Sequence, residues 1–338
     1  MAGLSVLVVN AGSTSLKLSI VDEDDSSATV GALAEAPSDL AAVAHRVVHG
    51  GARFREPVLI DDGVRQELEA LTELAPLHNA PALAAIDEAR RSLPEVPHVA
   101  VFDTAFHATI PEQASTYALP RRWREECGIR RYGFHGLSVA WAAERVPVSR
   151  LVVCHLGGGC SVTAVLEGRS VDTTMGFTPL EGVPMATRPG PVDPGALLYL
   201  LRHGVTPAEL EQALEHESGL LALGGSARVE ELEASAEPGA QLALSVFCYR
   251  VAAAVAAMAT ALGGLDALVF TAGVGEGSAL VRERVCGLLA FLGVGLDAQA
   301  NRVVEPDADV ATDSSPARVH VVHAREDVIA ARAARSLV

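Results

Sequence analysis

The chain has 338 residues, of which 49% are hydrophobic and 20% charged. That is an ordinary soluble globular profile, long enough for two domains, since single cores stop growing at roughly 250–300 residues. A formal net charge of −16 argues against nucleic acid or an anionic membrane as partner, because both need clustered Lys and Arg. It leaves small anionic substrates open, which respond to the local field of a cleft.

The N-terminal "MAGLSVLVVN" has no basic n-region and runs directly into a strand, so no signal peptide is expected. The stretch "VLVVNAGSTSLKLSIVD", Val6 to Asp22, is an apolar strand that breaks at Asn10, passes a small, hydroxyl-rich turn, and resumes as a second strand carrying Lys17. "AHRVVHGG" (Ala44 to Gly51) predicts a strand ending in glycines and holding Arg46, with His45 and His49 flanking it and lining a surface. "LAPLHNAPAL" (Leu74 to Leu83) offers His78 and Asn79 between prolines, and "VFDTAFHATIP" (Val101 to Pro111) puts Asp103 at the end of an apolar run. Arg121, Arg122, Arg124, Arg130 and Arg131 are expected on a solvated helix face, while "RRYGFHGLS" sets His135 in a glycine-flanked turn.

The hairpin of the N-terminus then recurs. "LVVCHLGGGCSVTAVLEG", Leu151 to Gly168, is again an apolar strand, a polar residue (His155), a Gly-containing turn and a second strand. A turn of Gly, Ser and Thr presents backbone N–H groups and hydroxyls with no bulky side chain in the way, a nest that can hold phosphate. One such hairpin is equally explained as a tight turn; two favour a grip on one polyphosphate from both sides. "TTMGFTPLEGVPMATRPGPVDPG" (Thr173 to Gly195) places Arg188 before a Pro-Gly-Pro break, on irregular backbone. Arg46, Asp103, His135 and Arg188 all sit at strand ends or Gly/Pro turns, where functional groups concentrate.

Further on, "VAAAVAAMATALGGL" (Val251 to Leu265), bounded by Arg250 and Asp266, falls short of the ~20 residues that span a bilayer and predicts a buried alanine-rich helix. "LVFTAGVGEGSALVRERV" (Leu268 to Val285) predicts a buried strand, a Gly-rich turn through Gly273, Gly275 and Gly277, then a helix, which favours phosphate or a nucleotide edge. Its G-x-G-x-G spacing departs from the dinucleotide fingerprint G-x-G-x-x-G, and no Walker A string occurs. The five cysteines are odd in number and form no C-x-x-C pair, so neither a zinc site nor a disulfide framework is expected, and reduced thiols in a cytoplasm fit best. Alternating strand and helix patterns predict an α/β fold.

Nine strings in order, "NAGSTSLK", "HRVVHGG", "APLHNAPA", "VFDTAFHATIP", "YGFHGLS", "HLGGG", "GFTPLEG", "TRPGPVDPG" and "FTAGVGEGS", resemble the acetate kinase family of the actin/Hsp70/sugar kinase superfamily. The resemblance implies two duplicated actin-like (ribonuclease H-like) domains with a cleft between them, residues 1–146 and 147–338, the C-terminal helix 325–337 packing back on the first. It further implies that Asn10, Ser13, Ser15 and Lys17 sit against the nucleotide phosphates opposite His155, Gly157, Gly158 and Gly159, with Gly273, Gly275, Glu276 and Arg228 toward the adenosine. Arg46 and Arg188 would clamp the carboxylate and the phosphoryl group in flight, and His135 would donate a hydrogen bond to that group. Asn10, Asp103 and Glu326 would attend Mg²⁺ (or Mn²⁺), and Val48, Leu77, His78, Phe134 and Pro179 would wall the substrate pocket. The implied activity is ATP-dependent phosphorylation of acetate, with propionate as the nearest alternative substrate, in a cytoplasmic homodimer that binds neither nucleic acid nor membrane.

The sequence departs from the family pattern at Gly158, Cys160 and Gly277, and lacks the Asp of a Ser-Asp-x-Arg string near Ala227. The segment between Asp22 and Arg46 is also short. These departures keep two other readings open: a nucleotide-binding member that has lost turnover, and, more remotely, an NAD-dependent enzyme that an NADH-binding test would reveal. On the kinase reading, Arg46→Ala or Arg188→Ala is expected to cut turnover by orders of magnitude with little loss of stability.

Overall fold

The computed structural model describes residues 5–11, 16–37, 39–74 and 76–338, the side chains of residues 73–78 excepted. Six strands form a first sheet: β1 (Val6–Ala11), β2 (Leu16–Val21), β3 (Ser27–Val30), β4 (Ala42–Val47), β5 (Val58–Leu59) and β6 (His98–Phe102), in the order β3-β2-β1-β4-β6-β5. Six more form a second: β7 (Arg150–Leu156), β8 (Cys160–Leu166), β9 (Arg169–Thr173), β10 (Ala267–Thr271), β11 (Ala308–Asp309) and β12 (Arg318–Val321), in the order β11-β12-β10-β7-β8-β9. The two orders are the same topology. In each, an antiparallel three-stranded meander is joined to two parallel strands, and a short antiparallel strand closes the far edge. The duplicated hairpins read in the sequence are the β1–β2 and β7–β8 pairs, with Asn10 opposite Lys17 and His155 opposite Ser161.

β1, β4, β6, β7 and β10 are apolar runs buried along nearly their whole length, as central strands must be when helices cover both faces. Between the sheets lie the helix Gly136–Arg145 and the C-terminal helix Glu326–Arg335. Leu137, Trp141, Val328 and Ala331 share one core with Val8 and Val101 of the first sheet and Val153 and Val269 of the second. The C-terminal helix is tied to the first sheet by Arg335, which donates to the carbonyl of Val21 at 2.7 Å, and by Arg325 ahead of it, which donates to that of Asp25 at 2.8 Å.

Two elements differ from expectation. The alanine-rich helix runs from Pro238 to Leu262, 25 residues, so it starts well before Val251 and carries Arg250 in its interior. It is long and apolar enough to cross a membrane by length and composition. Half of its apolar stretch is buried within the protein, and Leu244, Phe247, Val251 and Val255 pack into the second sheet's core. The sequence window missed its first half because polar residues on the outer face dilute the apolar run. The second difference is the Gly-rich turn after β10, which is helical from Ala272 to Gly277 and passes through Ser278 into a second helix, Ala279–Leu288. Ser278 caps that second helix, its hydroxyl accepting from the Val281 amide at 2.9 Å, a local signal for a break between two helices.

Candidate active site

The C-terminal ends of β1, β4, β6 and β7 open onto a cavity of about 390 Å³ between the sheets, where ligands bind in α/β folds. Asn10 is the penultimate residue of β1 and Lys17 lies opposite it on β2. Arg46 comes from β4, with Val48 just beyond the strand; Asp103 directly follows β6. His135 caps the helix Gly136–Arg145 from the left-handed region, at φ 59°, a costly conformation for a side chain of this size and one that concentrates at functional sites. The next residue explains how it is held. Gly136 donates its amide to the Asp103 carbonyl at 2.9 Å, and a Cβ there would fall 2.1 Å from that same oxygen, so only glycine permits the approach.

Arg46 is the electrostatic centre. Its Nε and Nη2 donate to the two oxygens of Asp103 at 3.0 and 2.5 Å, its Nη1 donates to Asn10 Oδ1 at 3.1 Å, and Glu326 stands 3.8 Å away. Asp103 is fully buried. A bidentate arginine pair is the geometry that offsets the desolvation of such a carboxylate. Burial alone would lower the Arg46 pKa, but the charges of Asp103 and Glu326 outweigh it and hold the guanidinium ionised. Burial pushes the Asp103 carboxyl up, and Arg46 pulls it back down.

Across the cavity, the His135 and His155 rings stack with centroids 4.0 Å apart. His135 Nδ1 meets Ser161 Oγ at 3.0 Å and His155 Nδ1 meets Ser138 Oγ at 2.8 Å. Burial is the main cause that drives the His135 pKa well below its ordinary value, followed by the charges of His155, Arg46 and Arg188; His155 falls to about 4. Both rings are therefore neutral at pH 7, and each can donate a hydrogen bond without adding charge. A Cβ on Gly159 would lie 3.2 Å from His135 Nε2 and 3.7 Å from Arg188 Nη1, so the second hairpin's turn passes directly against both groups. Gly158, by contrast, has nothing within 4 Å of a Cβ position, so space does not require a glycine there. Arg188 reaches the cavity from the irregular segment after β9, donating to the Pro179 carbonyl at 3.2 Å, with Glu215 3.3 Å from its Nε.

The lining of this cavity consists of residues singled out from the sequence: Asn10, Lys17, Arg46, Val48, Asp103, Phe134, His135, His155, Gly158, Gly159, Pro179, Arg188 and Glu326. Gly157 lies behind the turn, its amide donating to the Gly159 carbonyl at 3.1 Å. A larger cavity of about 810 Å³ adjoins it, sharing Asn10, Lys17, Arg46, His155 and Glu326 and reaching Gly273 and Glu276. Glu276 is engaged there by His323 Nδ1 at 2.6 Å and the Ala324 amide at 3.0 Å. Gly275 is buried and lines neither cavity. Ser13 and Ser15 lie outside the described residues, as do the side chains of Leu77 and His78.

Arg228, expected toward the adenosine, lines neither cavity; its side chain is 70% exposed and lies 3.5 Å from Glu231, at the start of a short helix, Val229–Ala234. Two expectations are corrected. His45 and His49 are buried rather than surface-lining. His45 Nε2 meets His98 Nδ1 at 2.9 Å; His49 Nδ1 accepts from the Gly51 amide at 2.9 Å, so its Nε2 donates to the Phe177 carbonyl at 3.2 Å. Asn79 bonds both the amide and the carbonyl of His49, at 3.2 and 3.1 Å, which fixes the segment carrying Val48. Arg131, finally, is not on a helix face: it donates to the Thr174 carbonyl at 2.8 Å and pairs with Glu181 at 3.0 Å, bracing the loop that delivers Pro179. Ser138, Ser161 and Glu215 carried no signal of their own in the sequence; Ser138 and Ser161 stood inside "YGFHGLS" and the second hairpin without being singled out, while Asn79 was noted between its prolines without this role.

A model of the acetokinase family matches residues 29–332. The chain is 46% identical over 303 residues to an acetate kinase of Nostoc punctiforme, covering 86% of this chain and 75% of that protein, and 47% identical over 310 residues to one of Gloeobacter violaceus, covering 88% and 76%. Among solved structures it resembles a propionate kinase from Francisella tularensis, with TM-score 0.89, 32% identity and coverage of 97% and 98%. An acetate kinase from Porphyromonas gingivalis is similar at TM-score 0.87 and 31% identity, covering 98% and 99%.

Proposed function

The chain belongs to the acetokinase family, and on that premise we propose that it transfers the γ-phosphoryl group of ATP to acetate, reversibly, by direct in-line attack of the carboxylate. The observation that supports this most is the convergence of Arg46, Arg188 and a neutral His135 on a small cavity whose remaining walls include Val48, Phe134 and Pro179. Phosphoryl transfer requires positioning and cancellation of spread negative charge more than covalent help. Acetate is already ionised at neutral pH, so its oxygen needs no general base. Arg188 holds one of the two anions with its planar fork, Arg46 holds the other while keeping Asp103 compensated, and His135 donates to the group in transit.

Asn10, Asp103 and Glu326 surround Arg46 with oxygen donors, the hard type that Mg²⁺ or Mn²⁺ accepts, and one or two carboxylates plus substrate phosphates are a usual magnesium set. These residues would hold the ion, which when bound cancels phosphate charge. The two hairpin turns, β1–β2 and β7–β8, would grip the ATP phosphates, with Gly273 on the adenosine side. We take residues 1–146 and 147–338 as the two domains that close on the substrates.

A propionate kinase is among the structural neighbours, so the acyl chain length is decided by the pocket wall. One methylene is worth about 1–3 kcal/mol in such a pocket. Val48→Ala is expected to raise the propionate-to-acetate ratio of kcat/KM by roughly tenfold; equal loss of both activities would remove Val48 from the wall. A homodimer is proposed from Leu198 and Tyr199 on the exposed helix Pro194–Arg202 and from Leu242 and Tyr249 on the outer face of Pro238–Leu262, all more than half exposed. Light scattering should give twice the chain mass, and Tyr249→Arg should halve it.

The deciding assay is acyl hydroxamate formation from acetate with ATP and Mg²⁺ in hydroxylamine. Product at saturating acetate supports the reading. No product from a protein that still binds ATP would leave the nucleotide-binding member as the function.

A further inference from the structure

Arg188 is held from behind by an acidic residue that the motifs leave unassigned. Glu215 closes the helix Pro207–His216, an element with no fully buried residue, yet its carboxylate points inward, 3.3 Å from Arg188 Nε, and only 18% of its side chain is exposed. Its backbone is fixed to the same turn. Thr187 Oγ1 donates to the Glu215 carbonyl at 2.7 Å, the Ser218 amide to the Thr187 carbonyl at 2.9 Å, and the Leu220 amide to the Met185 carbonyl at 2.9 Å. Gly219 sits in the left-handed region, and a Cβ there would meet the Met185 carbonyl at 2.2 Å and the Arg188 carbonyl at 2.7 Å. The end of this helix is thus stapled to the arginine turn at several points.

Within the guanidinium, Nε faces Glu215 and Nη1 faces the Pro179 carbonyl and Met185 Sδ. Two of the three guanidinium nitrogens are thus engaged by protein groups while the side chain lines the cavity. Burial lowers the Arg188 pKa and the Glu215 charge counters it, so the carboxylate keeps the guanidinium charged as well as oriented.

Resting on the carboxylate kinase reading above, we propose that Glu215 is a positioning residue: it sets the direction of the Arg188 fork toward the anion in the cavity, without touching substrate. Long flexible arginines contribute to a transition state only when held in place, as outer partners do for metal ligands and catalytic groups. Steady-state kinetics on Glu215→Ala, Glu215→Gln and Glu215→Asp, each in the parent and in Arg188→Lys, test this. Glu215→Ala should lower kcat about tenfold and raise the carboxylate KM, with the ATP KM within about twofold of the parent. Glu215→Asp, which keeps the charge and loses reach, should resemble Ala, and Glu215→Gln, which keeps the side chain's length and a polar oxygen facing Nε, should recover most of the activity. In Arg188→Lys the Glu215→Ala change should add less than about twofold, because residues acting as a unit are not additive. A Glu215→Ala enzyme indistinguishable from an active parent would overturn the proposal. So would the same factor of loss in both backgrounds, or a fall in kcat with unchanged KM and a lowered melting temperature. An inactive parent would instead overturn the kinase reading on which it rests.

Discussion

Arg188→Ala is expected to lower acetyl hydroxamate formation by about a thousandfold or more, the scale on which single arginines stabilise phosphoryl transfer, while leaving the denaturation midpoint nearly unchanged. Its partners are less deeply buried than Asp103: Glu215 keeps 18% of its side chain exposed, and the Pro179 carbonyl lies beside the cavity. Arg46→Ala should lose activity on the same scale but for a compound reason. Asp103 is completely buried and bonded by both oxygens to Arg46, so the substitution strands a buried carboxylate, at a cost of about 3–5 kcal/mol in stability. The sequence alone predicted little loss of stability for both variants; the structure retains that expectation for Arg188 only. Adding Asp103→Asn to Arg46→Ala should restore much of the stability and none of the turnover. Hydroxamate assays and urea titrations on the four proteins separate the two effects, and unchanged turnover in Arg188→Ala would remove the clamp mechanism.

Stability itself should collapse on mild acidification. Desolvation holds a set of histidines below their ordinary range: it takes His45 to about 3 and His49, His107 and His155 to about 4, drives His135 well below its ordinary value and lowers His98. In the unfolded chain each titrates near 6.5. The unfolded state therefore binds more protons, and the stability these residues contribute is complete above pH ~6.5 and lost as pH falls toward ~4. A single such histidine loses about 2 kcal/mol between pH 7 and pH 5. Asp103 and Asp172, whose carboxyls burial pushes up, act in the opposite sense and offset part of it. The paired carboxylates Asp25, Asp87 and Asp266 are held below the ordinary range by arginine partners, and their loss belongs to lower pH. Urea midpoints at pH 7, 6 and 5 should fall steadily, and His107→Gln should flatten the slope by about one proton. A flat midpoint across that range would mean that the rings are protonated in the native state.

The local pattern of the chain determined which residues reach the cleft. Asn10, Arg46 and Asp103 each sit where an apolar strand of the first sheet runs out, and neighbouring parallel strands bring those ends side by side, while His155 stands at the matching place on β7 of the second sheet, so positions found separately in the sequence meet in the cleft. The duplicated hairpins were legible for the same reason, since each strand-turn-strand unit is encoded within fewer than twenty residues. What the tertiary structure decided is what each polar group faces. His45 and Arg46 are adjacent in sequence and alternate across one strand, yet His45 goes to a dry pair with His98 while Arg46 meets Asp103. Arg228 and Arg131 look alike as surface arginines, and only packing turns the first out to solvent and the second in against the Thr174 carbonyl. Glu215 lies 27 residues after Arg188 on a helix of ordinary surface composition, and its contact exists because Gly219 lets two backbone segments close to a distance that no Cβ would allow. Periodicity is a property of neighbours along the chain, whereas burial and pairing depend on which distant segment arrives, and that is fixed only when the sheets and the helices between them are assembled.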